Sequence, residues 1–420
     1  MCGVKPDFVF KAWKGLFKQF KEAVMPEMFE ILDGQTADRA IIRVVGVGGG
    51  GCNTVNQMVE AEIEGVDFVC SNTDRQHLDR CKTQNILQIG STITRGLGAG
   101  SDPEKGRAAA LEDKDRIREL LDGTDMLFIT AGMGGGTGTG AAPVIAEIAR
   151  ELDILTVAVV TKPFMFEGKK RGASAMRGIE ELHKHVDSLI LIPNEKLQLV
   201  LGDDATMDEC FRKANDVLQN AVQGISDLIT RPGMVNVDFA DVCTVMRNRG
   251  KAMMGMGRAT GDARASQAVE EALTSPLLDD IELSNARGIL VNLACDSTLK
   301  MGEINRVMKR VMEIASDDVD VKFGTSLDQA LDGELRVTVV ATGLGGGVVP
   351  QMQMPQGSVQ HNTVVTPLKR PDVTGSPRPA AVDVPTVIRR QPAAAHDFAT
   401  AAIPDEEILN IPAFLRNQAD

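Results

Sequence analysis

Apolar residues along the chain fall into two rhythms, and the alternation between them lays out the fold. From Ala40 to about Thr206, strand-length runs rich in β-branched residues, at 41–47, 67–71, 126–131, 155–161 and 188–193, alternate with segments of helical spacing. Continuous apolar strands separated by helices predict a largely parallel, Rossmann-like α/β sheet with crossover helices on its faces. Such sheets bind ligands at the carboxyl ends of their strands. Phe211, Leu218, Val222, Ile225 and Ile229 then recur at helical spacing, and Arg231-Pro232-Gly233 ends that long helix. Helix and breaker together read as a hinge. From about Met234 to Thr342 a second α/β unit follows, with strands predicted at 287–294 and 334–341.

The ends differ in kind. At the N-terminus Phe10, Trp13, Phe17 and Phe20 share one side of a helical register with Lys11, Lys14, Lys18 and Lys21 beside them, the pattern of an interfacial amphipathic helix, and Met28 offers a second plausible start. After Gly343 the composition turns to Pro, Gln, Thr and Val, too poor in apolar periodicity to offset the entropy of ordering. An island of apolar and charged residues, 405–416, closes the chain, as expected of a tethered peptide that folds on contact with a partner. The predicted organisation is therefore an N-terminal extension, disordered or amphipathic (1–33), a ligand-binding α/β domain (38–206), a central helix (207–232), a second α/β domain (233–345), a disordered linker (346–403) and a partner-binding tail (404–420).

Composition narrows the function. A formal charge of −13 over 420 residues argues against a nucleic-acid binder, which needs concentrated Lys and Arg. Seven cysteines are scattered without CxxC spacing, so neither a zinc site nor a disulfide framework is expected, and reduced thiols in a cytoplasm are the simplest reading. No stretch approaches the roughly 20 apolar residues of a membrane span, and the N-terminal lysines break any secretory signal. Membrane contact is expected to be peripheral or through a partner.

The chemistry lies in the glycines, of which there are 41, clustered rather than spread. Immediately after the first strand comes Gly46-Val47-Gly48-Gly49-Gly50-Gly51-Cys52-Asn53, followed by a helix: a phosphate site, because glycine lets backbone approach phosphate oxygens and the helix start presents free N–H groups. Alone, positions 46, 48 and 51 also satisfy the dinucleotide pattern GxGxxG, with Asp74 as a ribose-binding acid. A second glycine run, 132–140, again lies between a strand and a helix, and a third, 96–102, adds more close-approach backbone. Three loops suit a triphosphate, whereas a dinucleotide needs one. No GxxxxGK[ST] occurs, so the chain is not a Walker-type NTPase.

The run GGGTGTG at 134–140 is similar to the signature of the tubulin/FtsZ family of GTPases, and the resemblance extends from about Ala40 to Gly345 and resumes in the tail. It implies that GTP is hydrolysed to GDP and phosphate. Gly49, Gly50, Gly51, Cys52 and Asn53, with Gly136, Thr137 and Gly138, would hold the α- and β-phosphates, and Gly100 and Ser101 would lie near the γ-phosphate. Glu167 and Arg171 resemble the family's ribose and phosphate contacts, Asn194 and Asp216 its guanine readers, and Phe211 the aromatic beside the base. A carboxylate accepts from the N1–H and amino group of guanine, a donor pair that adenine lacks. In Asn236-Val237-Asp238-Phe239-Ala240-Asp241, the family resemblance implies that Asp238 and Asp241, with Asn236, enter the pocket of an adjacent subunit and position the attacking water. A helix cap is the plainer reading of that segment. Mg²⁺ would be held mainly through the phosphates. The resemblance further implies a head-to-tail homopolymer at a cytoplasmic mid-cell division ring, answering to assembly regulators. Ile411, Pro412, Phe414 and Leu415 of the tail would dock membrane-tethering division adaptors such as FtsA. Cys52 stands where many members have a fifth glycine, which would put a thiol beside the phosphates. The alternative function is a GTP-binding filament or scaffold protein without hydrolysis.

Overall fold

The computed structural model describes residues 40–344, apart from positions 203, 232, 249, 279–284 and 317. The N-terminal extension, the linker, the tail residues Ile411, Pro412, Phe414 and Leu415, and the breaker Pro232 lie outside the described residues. The first part of the chain runs β1 (Ile42–Val47), α1 (Gly48–Glu60), β2 (Val66–Asn72), α2 (Arg75–Leu78), β3 (Asn85–Gln88), α3 (Ser91–Thr94), α4 (Pro103–Glu112) and α5 (Lys114–Leu121). Then follow β4 (Met126–Gly132), α6 (Thr137–Glu151), β5 (Leu155–Lys162), α7 (Lys169–His183), β6 (Ser188–Pro193), α8 (Asn194–Leu201) and α9 (Met207–Thr230). The remainder is α10 (Phe239–Met246), β7 (Gly250–Ala259), α11 (Arg264–Leu273), β8 (Gly288–Cys295), α12 (Met301–Ile314), β9 (Asp320–Leu327) and β10 (Leu335–Leu344).

All ten strands join in one sheet, ordered β3-β2-β1-β4-β5-β6-β7-β10-β8-β9. Every neighbouring pair is parallel except those made by β10, which runs antiparallel to both β7 and β8. The two α/β stretches are thus joined through β6 and β7, where Ser188, Leu189 and Ile190 pair with Gly250, Lys251 and Ala252. Because successive strand side chains alternate between faces, each central strand feeds two cores. Val44, Met126 and Phe128 pack on one face with α1 and α9, while Val45, Leu127 and Ile129 pack on the other with α6 and α7. A third core gathers α11, α12, β8 and β10.

Helix α9 is fixed at its start by a cap and along its length by one buried face. Thr206 Oγ accepts from the Glu209 amide while the Glu209 carboxylate accepts from the Thr206 amide, a reciprocal cap. Val217, Leu218, Ala221, Val222, Ile225 and Leu228 are buried against the sheet, each large one contributing roughly 1.5–3 kcal/mol. Ile225→Ala would remove about 2–5 kcal/mol from that seam.

Candidate nucleotide site

Three glycine loops meet backbone to backbone at the carboxyl edge of the parallel strands. At the end of β1 the chain turns into α1 through Gly48, whose φ of +72° favours glycine, and a Cβ there would sit 2.8 Å from the Gly138 nitrogen. The third loop closes on the second, since Gly136 N donates to Gly100 O at 3.0 Å. Gly49, Gly50, Asn53, Gly100 and Ser101 are exposed on this edge, while Gly51, Cys52, Gly136, Thr137 and Gly138 are buried beneath them. Neither α1 nor α6 has a side-chain cap or an acidic residue in its first turn. Their first-turn amides and the positive ends of their dipoles are left for an anion. Thr137 is held from below, its hydroxyl 2.6 Å from that of Thr73. Asp74, the acid a dinucleotide site would need, instead caps α2 by accepting from Gln76 N and His77 N.

Asn194 begins α8 directly after β6, and its buried Oδ1 has no hydrogen-bond partner. Such an atom costs about 1–3 kcal/mol unless a donor reaches it. Phe211 is 40% exposed and meets Phe164 edge-on at 5.4 Å, while Phe164 stacks on Phe166 at 5.0 Å. Glu167 accepts from Phe164 N at 2.9 Å and pairs with Arg171 Nε at 3.0 Å, so the turn carrying both is latched from within. The Arg171 stem lies against Gly134, which brings this turn to the second loop. Asp216 accepts from Gln57 Nε2, Gln57 also donates to Gln219 at 3.2 Å, and Thr54 Oγ donates to Asn215 at 3.0 Å. Helices α1 and α9 are therefore joined by a polar ladder, and reading a base with Asp216 requires Gln57 to yield. Gln57, Thr73 and Phe164 were not singled out by the sequence, where nothing marks them apart from their neighbours.

The 236–241 segment lies elsewhere. Helix α9 is 24 residues long, about 36 Å at 1.5 Å per residue. It begins near the Phe164–Phe211 contact and ends where Thr230 covers Gly65, the residue before β2. Asn236, Asp238 and Asp241 follow beside β9, and among the described residues no hydrogen bond or ion pair joins them to the glycine loops. Thr325 pins the approach, accepting from Val235 N and donating its own N–H to Val235 O, both at 2.9 Å. Asn236 accepts from Gly233 N at 2.9 Å. Asp238 occupies the N-cap position of α10 yet makes no side-chain cap bond, and it is exposed. Asp241 pairs with Lys322 at 3.2 Å, a contact that raises the Lys322 ammonium above its ordinary value.

Two expectations about cysteine are corrected. The Cys52 thiol does not face the phosphates; it points under the loop toward Gly46 O at 3.5 Å and Ser71 O at 3.7 Å, because the helical direction at this position aims the side chain at β1 and β2. Nor are the cysteines all scattered in space: the sulfurs of Cys52, Cys70 and Cys81 lie within 4.8 Å of one another. Contact with Cys70 and Cys81 and burial push the Cys52 thiol well up, while the hydrogen bond from Cys52 holds Cys81 down to about 6.

Three glycine loops gathered at the carboxyl edge of parallel strands, with two helix starts left uncapped there, are the arrangement of a nucleotide-binding protein of the tubulin class. Residues 41–202 match the Tubulin/FtsZ family, GTPase domain, and residues 250–345 match the FtsZ family, C-terminal domain. The chain belongs to the FtsZ family and is a GTPase of the cell-division cytoskeleton that binds GTP and GDP. It is 51% identical over 397 residues to the cell division protein FtsZ of Pseudomonas aeruginosa, covering 94% of this chain and 100% of the relative. An empty FtsZ dimer from M. jannaschii superposes with a TM-score of 0.70 at 40% identity, covering 81% of this chain and 93% of that one. A protofilament of CetZ2 from Haloferax volcanii shares the fold, with a TM-score of 0.62 at 23% identity over 72% of this chain and 93% of that one.

Proposed function

We propose that this GTPase polymerises head to tail and hydrolyses GTP only at the junction between subunits, at the cytoplasmic division septum. One observation carries the reading: the 24-residue helix α9 runs between the Phe164–Phe211 contact and the Asn236, Asp238 and Asp241 segment beside β9, so that segment does not join the glycine loops of its own chain. A neighbour stacked along α9 would present its aspartates to the γ-phosphate, so the 38–206 stretch supplies the nucleotide and the 233–345 stretch of the next subunit supplies the catalytic loop. The similarity to an FtsZ dimer supports self-association of the chain.

Phosphoryl transfer needs alignment and charge neutralisation more than a strong base, and two carboxylates suffice to orient a water. Gly49, Gly50 and Asn53 with Gly136, Thr137 and Gly138 would hold the α- and β-phosphates, Gly100 and Ser101 the γ-phosphate. Asn194 and Asp216 would read guanine, Phe211 would cover it, and Glu167 and Arg171 would border the ribose. Phosphate oxygens with carboxylates from the neighbour form the hard-oxygen donor set that suits Mg²⁺, which would neutralise developing charge. The tail residues Ile411, Pro412, Phe414 and Leu415 would tether filaments to membrane adaptors such as FtsA, many weak contacts summing to firm attachment.

The test is phosphate release against protein concentration with light scattering recorded in the same samples. Specific activity that rises steeply where scattering begins supports the shared site. Constant activity per molecule would make the GTPase self-contained, and GTP binding without release would make the protein a scaffold.

A further inference from the structure

We propose that Cys52, Cys70 and Cys81 form a three-thiolate site for a soft d¹⁰ cation, Zn²⁺ or Cu⁺, directly beneath the first phosphate loop. Each sulfur comes from a different element: α1, β2 and the turn that follows α2. Two buried cysteines in a core are ordinary apolar packing. A third sulfur drawn to the same point from a surface turn is not explained that way. The three lie within 4.8 Å of one another. A metal–sulfur bond of about 2.3 Å places thiolates about 3.8–4.0 Å apart in tetrahedral or trigonal geometry, so closure onto a cation asks for less than about 1 Å of contraction. The donors are thiols alone, which select soft cations over Mg²⁺ or Ca²⁺. A disulfide would use two sulfurs and strand the third.

The site has a way in and a way of being held. Cys52 and Cys70 are fully buried, whereas Cys81 is partly exposed and forms the open side. Its turn is anchored to α1, because Lys82 N donates to Asn56 Oδ1 at 2.8 Å and Lys82 pairs with Glu60. Binding forms three metal–sulfur bonds and releases to solvent the protons that the thiols still carry, with no change of oxidation state. Because Cys52 stands between Gly51 and Asn53, an occupied site ties the start of α1 to β2.

The experiment uses reduced, metal-free, nucleotide-free full-length protein, titrated anaerobically with Zn²⁺ and separately with Cu⁺ against a chromophoric chelator. One equivalent of at least one cation is expected, with protection of Cys81 from alkylation and proton uptake when the cation is stripped. Cys81→Ser changes a partly exposed side chain and should fold and hydrolyse GTP as the parent does, yet lose at least about tenfold in affinity, about 1.4 kcal/mol. Cys243→Ser, outside the cluster, should bind as the parent does. Binding by Cys81→Ser equal to the parent, alkylation unaffected by the cation, or a Cys52–Cys70 disulfide formed without any cation binding overturns the proposal.

Discussion

The amide of Gly136 donates to the carbonyl of Gly100 across 3.0 Å, and a Cβ on Gly136 would fall 2.5 Å from that same oxygen. The second and third loops therefore touch with no room for a methyl group. Gly136→Ala should part them, lowering GTP affinity by at least about tenfold while the helical circular dichroism of the protein persists. Titration with a fluorescent GTP analogue reads the loss; unchanged affinity would mean that the loops do not act as one cradle.

Freed from Gln57, the Asp216 carboxylate would offer two acceptors to a base, and an amide in its place would offer one acceptor and one donor pair. Asp216→Asn should weaken GTP by about 1–3 kcal/mol and improve the relative standing of xanthosine triphosphate, which carries a carbonyl where guanine has its amino group. Competition binding with the two nucleotides measures the swap. Equal losses for both would assign Asp216 to the ladder with Gln57 rather than to the base.

If the active site is shared, two inactive variants can repair each other. Asp241→Ala keeps intact loops, so it should bind GTP normally and release almost no phosphate, whereas Gly136→Ala keeps the aspartates but binds poorly. Mixed in equal amounts they should turn over faster than either alone, through junctions that combine good loops with a good Asp241. Phosphate release from the mixture no faster than the mean of the two would contradict a shared site.

Asp227 is buried near Arg231 at 3.2 Å, and burial raises its carboxyl from 3.8 to about 6 against the opposing pull of Arg231 and Arg336. A pKa raised on folding favours the folded state below the unfolded value and loses that contribution as pH rises through the folded one. Wild-type stability should therefore fall, from this group, between about pH 4 and pH 6, by up to about 3 kcal/mol. Asp227→Asn should flatten that part of the profile in urea melts; identical pH slopes would exclude the carboxyl as its source.

In the second α/β stretch Arg264 and Glu303 form a buried two-point ion pair, at 2.7 and 2.9 Å, and Arg264 also donates to Gly333 O. Glu303→Ala strands a buried guanidinium and should cost about 3–5 kcal/mol. Arg264→Met with Glu303→Leu removes both charges and should recover much of that loss in thermal melts.

The strands that sequence showed best are those made of β-branched residues, and the run at 188–193 coincides with β6. Strand β7 went unread because Gly250–Ala259 contains three glycines and no β-branched residue. Those glycines answer to packing: a Cβ on Gly255 or Gly257 would meet a carbonyl of α11 at 2.0 Å. In the site, glycine loops between strands and helices were legible because few other roles need so many glycines together. The supports were not. Gln57 reaches Asp216 across 159 positions and Thr73 reaches Thr137 across 64, pairings that only the folded chain creates. The thiol cluster was hidden for the same reason, since Cys81 joins it only through the turn after α2.

The pairing of β6 with β7 extends over three residue pairs, where β1 and β2 share six, and it is the shortest among the described strands. A tensile load entering at the glycine loops and leaving through the 236–241 segment can travel along α9 or across this short seam. A 24-residue helix resists stretching along its axis, while three pairs of strand residues resist twisting poorly. If subunits join as proposed, the helix would serve as a strut and the seam as a compliant joint, so that an axial pull on the chain would be turned into a bend.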